Sequence, residues 1–249
     1  MKIDVLDHGY VRYVDHMGGD LSIVRSARVS HNADWREGTN KEDEKLIKYL
    51  WRNRHTTPFE AVVFTFEINA PIFVFRQWHR HRTWSYNEMS ARYTELEDLF
   101  YIPDPDLIGE QHKSNKQARN IGKVKWSRWL ETKLVGAWFA STYALYRFLL
   151  WRGWPRELAR IVLPLSVYSR MFGTVNLNNL FKFLELRDHS HAQYEVQVYA
   201  RAMLELIRTH CPVAVSAFES ARDEERELKS PTFREWLAVF REQRNKKGD

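Results

Sequence analysis

Two hydrophobic periods run through the chain, and each predicts a different kind of element. Val62, Phe64, Phe66 and Ile68 alternate with Val63, Thr65, Glu67 and Asn69, which predicts a half-buried strand over 62–68. A second strand is predicted over 168–175, and residues 2–14 have mixed β character. Gly18 and Gly19 predict a turn, after which Asp20 is placed to cap a short helix running through residue 28. Leu46, Ile47, Tyr49 and Leu50 have the spacing of a helix over 42–54. Thr57 before Pro58 suggests another helix start, and Pro71 opens an apolar helix reaching about His79. Further helices are predicted over 126–151, from Pro155, and over 178–187, 190–209, 213–222 and 232–244. The uncharged stretch 134–146, between Lys133 and Arg147, reads as a buried core helix. Residues 104–128, with Pro105 and Gly109, read as a loop insertion, and 245–249 as a fraying tail. No internal repeat and no Pro/Gly/Ser-rich linker interrupts the pattern, so a single α+β domain over 1–249 is expected.

Composition supports a folded core. The 249 residues are 44% hydrophobic and 28% charged, which argues against wholesale disorder. Ten tryptophans are enough to stack on a planar ring without proving that one binds. The apolar run 134–146 is shorter than the roughly 20 residues a bilayer requires. Residues 1–7 carry no apolar signal region, and Cys211 is the only cysteine, so a reducing, cytoplasmic location is expected. The net charge of +6 favours an anionic partner, and the placement of the charges must decide which. One basic stretch, 112–128, holds six Lys/Arg and no acid. It reads either as a solvated insertion or as a lid over an anionic ligand.

The other basic stretch is denser. Between Arg76 and Arg92, four arginines and two histidines lie within seventeen residues, directly after the apolar strand and helix. Crowded cations beside a core need an anion or an acid to offset their repulsion. The guanidinium fork suits phosphate and carboxylate. If residues 80–82 are extended, Arg80 and Arg82 point one way and His81 the other. Ser85 and Glu88 have capping-box spacing, which would start a helix whose free N–H groups attract phosphate. On these grounds alone a phosphate site and a solvated basic face remain open. His79 and His81, like His189 and His191, sit two apart, but the interleaved arginines would repel a metal ion, so none is expected. No G-x-G-x-x-G or Walker A sequence is present.

Arg80-His81-Arg82 followed after seven residues by Ser90 resembles the signature of the flavin-dependent thymidylate synthases. Arg76-Gln77-Trp78 and Asn87-Glu88-x-Ser90-x-Arg92 flank it in the same way. Arg28-Val29-Ser30, Thr57-Pro58-Phe59-Glu60, 159–164, Thr174-Val175-Asn176, Leu186-Arg187 and Ser190-His191-Ala192-Gln193 match other blocks in order. The resemblance implies an antiparallel sheet with helices and a homotetramer with active sites at subunit interfaces. It also implies FAD as cofactor, with NADPH and methylenetetrahydrofolate as co-substrates in converting dUMP to dTMP.

By this resemblance Ser30, His55, Thr57, Glu60, Arg80, His81, Arg82, Glu88, Asn176, Asn178, Lys182 and His191 fall at flavin positions. Gln77, Arg80, Glu88, Met89, Ser90, Ala91, Arg92, Arg160 and Arg187 fall at dUMP positions, with Ser90 and Arg92 toward the phosphate. Lys182 stands where the family more often has Asn or His, and Asn178 where it often has Arg. Arg187 is the expected catalytic residue, on the uracil ring, and His191 is expected one helical turn beyond it on the same face. Cys211, far from the cluster in sequence, is expected to be structural, and Ser90 to bind phosphate rather than act as a nucleophile. The competing expectation is a basic module that grips nucleic acid without synthase activity.

Overall fold

The computed structural model describes residues 1–31, 41–112, 119–120, 126–189 and 191–228. The expected helix over 232–244, the tail 245–249 and Ser190 lie outside the described residues, as does part of the 104–128 insertion. Along the chain come β1 (Lys2–Val5), β2 (Gly9–Met17), α1 (Asp20–Arg28), α2 (Lys41–Arg52), β3 (Val63–Pro71), α3 (Ile72–Trp78) and β4 (Ser85–Glu88). Then follow α4 (Pro105–Ile108), β5 (Glu110–Gln111), β6 (Arg119–Asn120), α5 (Ser127–Trp151), α6 (Arg156–Ala159), β7 (Tyr168–Asn176), α7 (Leu177–Arg187), α8 (Tyr194–Ile207) and α9 (Pro212–Leu228). Short 3-10 turns occupy Val29–His31, Thr57–Ala61 and Arg160–Val162. The chain divides into two compact units, one of residues 1–18 and 60–206 and one of 19–59 and 207–249.

The first unit is built on an antiparallel sheet of order β1-β2-β3-β7-β4. β3 and β7 are its long centre, in register from Val63 opposite Asn176 to Pro71 opposite Tyr168. Phe64, Phe66 and Ile68 of β3 are fully buried while Val63, Thr65 and Glu67 are half-buried, as the alternation predicts. β4 overturns the helix expected from Ser85 and Glu88. Ser85 to Glu88 instead pair with Thr174 to Met171 of β7. A capping box is a local gain, whereas β7 presents a whole row of backbone groups that must be paired. Gly173 lets this corner close, because a Cβ there would lie 3.2 Å from the Trp84 ring.

α5 has the expected length but not the expected burial. Thr132, Thr142 and Tyr146 are buried, and Phe139 and Tyr143 pack on the cluster around Phe100 and Val167. On the opposite face Leu130, Leu134, Trp138, Leu145 and Phe148 are all exposed. The helix is apolar on both sides, so sequence alone reads it as interior. The expected loop at 104–128 contains α4 and the β5–β6 pair in its described part.

In the second unit, Asp20 does not cap its own helix. It is the first residue of α1, whose N-cap is Gly19. Its buried carboxylate instead accepts the Val213 and Ala214 N–H groups at 2.9 and 3.0 Å, at the start of α9. Burial raises its pKa, and those two bonds oppose the rise. Asp20→Ala strips the cap from α9 and is expected to destabilise the protein by about 1–2 kcal/mol. A lowered urea midpoint reads this. Cys211 is fully buried in the same unit, and burial pushes its thiol well above the usual range. Its burial fits the structural role expected of it.

Candidate active site

α3 follows β3 without a loop, because Pro71 holds the extended conformation of an N-cap. The seven-residue helix buries Val74, Phe75 and Trp78 and leaves Arg76 exposed. The chain then turns sharply, and the His81 N–H donates to the Trp78 carbonyl at 2.9 Å. Residues 80–82 are therefore not extended. The turn still gives the separation expected, since Arg80 and Arg82 are exposed while His81 is half-buried. Tyr86, on β4, closes the turn from the other side. Its hydroxyl donates to the carbonyls of His81 at 2.8 Å and Trp78 at 3.2 Å. Burial raises the Tyr86 pKa, so the hydroxyl keeps its proton and remains a donor.

The turn meets the end of α7. Arg187, the last helical residue, donates Nε–H to His81 Nε2 at 2.9 Å and Nη2–H to the Gln77 carbonyl at 3.3 Å. The Gln77 side chain in turn donates to the Gln193 carbonyl oxygen, Oε1. Burial and the neighbouring Arg187 charge lower the His81 pKa to about 4, which keeps the imidazole neutral. Phe183, one turn earlier on α7, sets its ring edge-on to His81 with centroids 4.9 Å apart. It also stacks on Trp78 at 4.8 Å. α7 stops at Arg187 because Asp188 leaves the helix, and its buried carboxylate pairs with Arg201 Nε at 2.8 Å. His191 is consequently not one helical turn beyond Arg187. It lies past the helix, exposed, with its N–H donating to His189 Nδ1 at 3.2 Å.

The start of α7 carries another cluster. The Asn176 side chain caps the helix by accepting the Asn179 N–H at 2.9 Å. Asn178 is 2% exposed and donates Nδ2–H to Glu60 Oε1 at 2.9 Å. Its Oδ1 is buried and has no hydrogen-bond partner among the described residues. Because Glu60 can only accept, the amide orientation is fixed and Oδ1 is the atom left open. Lys182 is exposed further along α7.

The 88–92 stretch continues from β4. Glu88 is half-buried, and Ser90 Oγ accepts the Arg92 N–H at 3.4 Å. Met89 and Ala91 pack in one cluster with Leu163, which directly follows the turn bearing Arg160. Two exposed arginines, Arg92 and Arg160, are thus carried by segments that share a small core. A cavity of about 350 Å³ beside the β1–β2 turn meets these residues only at Met89, so the volume and the cationic cluster do not coincide. Ser30, His55 and Thr57 belong to the second unit. Ser30 is exposed in the Val29–His31 turn, His55 is exposed with its ring edge-on to Tyr49, and Thr57 opens the Thr57–Ala61 turn. Sequence reasoning missed Tyr86, Phe183 and Gln193 as parts of this site. Tyr86 stood inside the arginine-rich segment, but its two acceptors are set by the turn and not by any spacing.

An antiparallel sheet flanked by helices gathers arginines and amides at the sheet–helix junction, a setting suited to an anionic, planar ligand. Residues 12–213 match the family described as Thymidylate synthase complementing protein. The flavin-dependent thymidylate synthase of Thermotoga neapolitana is 46% identical over 219 residues, covering 88% of this chain and 94% of that one. The one from Thermus thermophilus is 47% identical over 221 residues, covering 88% and 78%. Among solved structures, the UMP/dUMP methylase PolB from Streptomyces cacaoi bound with 5-Br UMP superposes with a TM-score of 0.78 at 36% identity, covering 87% of this chain and 96% of that chain. The same enzyme bound with 5-Br dUMP also gives 0.78. The chain belongs to the flavin-dependent thymidylate synthase family. The expectation of a nucleic-acid-binding module is not supported. Among the described residues no helix is long and apolar enough to cross a membrane, and no group of three or more His, Cys, Asp or Glu is placed to hold a metal.

Proposed function

We propose that the protein converts dUMP to dTMP with FAD, taking the one-carbon unit from methylenetetrahydrofolate and electrons from NADPH, with the whole chain serving as one catalytic domain in the cytoplasm. The observation that carries this reading is the seating of Arg187. Its Nε–H and one Nη2–H are held by His81 and Gln77, which leaves three of its five N–H bonds without a partner among the described residues and open to a ligand. A half-buried cation held in this way suits an anion that forms only during reaction.

The residues present fit a flavin. The buried, unpaired Asn178 Oδ1 needs an N–H donor, which a flavin ring supplies, and the exposed Arg80 and Arg82 suit a pyrophosphate. By the family resemblance, Asn176, Lys182, His191, Glu60 and Glu88, together with Ser30, His55 and Thr57, are the further residues proposed for the cofactor. When bound, the reduced flavin supplies the hydride that completes the methyl group. Gln77, Glu88, Ser90, Arg92 and Arg160 bind and orient dUMP, with Ser90 and Arg92 at the phosphate. Arg187 stabilises negative charge on the uracil as N3 loses its proton, and this raises electron density at C5. No enzyme nucleophile is needed, in keeping with the buried, protonated Cys211.

The assembly we propose is a homotetramer with active sites between subunits. Its support is the outer face of α5, where Leu130, Leu134, Trp138, Leu145 and Phe148 repeat at helical spacing, each 45–64% exposed. The activity is tested by tritium release from C5-labelled dUMP, with methylenetetrahydrofolate and NADPH, on flavin-stripped protein with and without FAD. Release that depends on FAD is the expected result. Bound FAD with no release overturns the proposal.

A further inference from the structure

We propose that His81 is the positioning residue of Arg187, its neutral imidazole accepting the Nε–H and so fixing the plane of the guanidinium for the uracil. The inference rests on the reading that Arg187 meets that ring. It differs from a flavin-binding role for His81, because the histidine here acts on the substrate side through another residue.

Three observations carry it. The first is the bond itself. Arg187 Nε can only donate, so His81 Nε2 must be an unprotonated acceptor, and the ring proton of the neutral imidazole sits on Nδ1. The second is that His81 is immobilised before any ligand arrives. Its N–H is held by the Trp78 carbonyl, its own carbonyl by the Tyr86 hydroxyl at 2.8 Å, and its ring by the edge of Phe183. The third is the geometry left to Arg187. Anchors at Nε and Nη2, on the His81 ring and the Gln77 carbonyl, define the guanidinium plane, whereas one alone would let it rotate. An imidazole held near pKa 4 is too weak a base to take the arginine proton, so the pair is a fixed donor and acceptor and not a proton relay. The value of the arrangement is orientation, and small misplacements of a catalytic group can cost about 100-fold in rate.

Two substitutions separate positioning from general structural support. His81→Leu removes the acceptor, while His81→Gln keeps a side-chain oxygen that can take the same Nε–H. Both are assayed as holoenzymes at saturating FAD, with flavin occupancy read from its bound absorbance and kcat and KM for dUMP from tritium release. The expected result is a kcat lowered about 30- to 100-fold in His81→Leu, with KM for dUMP changed less than about threefold. His81→Gln is expected to recover to within about fivefold of the unsubstituted enzyme. If His81→Leu does not fold, Tyr86→Phe takes its place. It frees the His81 carbonyl and is expected to lower kcat about three- to tenfold with flavin affinity unchanged. Equal losses in the Leu and Gln variants overturn the proposal, as does a loss confined to flavin affinity or an unchanged kcat in Tyr86→Phe where that variant stands in. An unsubstituted enzyme that releases no tritium defeats the functional reading beneath it, so the two failures are distinguishable.

Discussion

Arg187→Ala is expected to lower turnover by about 10²–10³-fold while the protein still binds FAD. The residues proposed for the cofactor, Arg80, Arg82 and Asn178, make none of the contacts that this substitution removes. What disappears is a cation with three N–H bonds unused among the described residues, held half-buried at the junction of α3 and α7. Burial pulls the Arg187 pKa down from its ordinary value, which marks a site where water screens charge poorly. There, stabilising a uracil anion is worth more than at the surface. Arg187→Lys should not restore the rate, because one ammonium cannot reach two fixed acceptors and still present a planar donor edge. His81 offers an independent readout. Its depressed pKa has two causes, burial first and the Arg187 charge second. Removing the charge should let the imidazole rise toward its usual range, with burial still holding it below. Histidine NMR titration measures this. A kcat within about threefold of the unsubstituted enzyme, with FAD bound, would remove Arg187 from the chemistry.

How much of this site was legible depended on how local each contact is. β3 and β7 announced themselves because alternation is a property of neighbours in sequence, and one face of each is buried. The cationic cluster was legible as chemistry for the same reason, since its arginines lie within one short segment. β4 was not legible. Its four residues carry a plausible helix start, and only pairing with β7, more than eighty residues away, makes them a strand. The end of α7 at Arg187 was read correctly, but His191 was misplaced one helical turn beyond it, because the helix stops there and Asp188, paired with Arg201, leaves it. Gln193 touches Gln77 across 116 residues of sequence, a separation at which no spacing rule operates. The cap supplied by Asp20 failed in the same way, because its partner helix is nearly two hundred residues further on.

The exposed face of α5 is a different case, since the proposed assembly, and not a feature within one chain, would cover it. Trp138→Glu is expected to split the proposed tetramer into smaller species and abolish flavin binding and turnover together. Trp138 is 64% exposed in the isolated chain and lies at the middle of the stripe formed by Leu130, Leu134, Leu145 and Phe148. A substitution there leaves the inward face, with Phe139, Tyr143 and Tyr146, untouched. The fold should therefore lose no more than about 0.5 kcal/mol. Between subunits the effect is far larger. A stripe of five large apolar side chains is enough to form the core of an interface burying about 800 Å² per partner. In a symmetric contact each copy presents the same face, so one substitution buries two carboxylates near each other, and neither has a counter-ion. Sedimentation velocity reads the assembly, and far-UV circular dichroism with a urea titration reads the fold. Native folding with a smaller species and no bound flavin shows that the site is completed by assembly. A full-sized, fully active tetramer in Trp138→Glu would show that the contact lies elsewhere. A smaller species that keeps its flavin and its rate would place the whole active site within one chain.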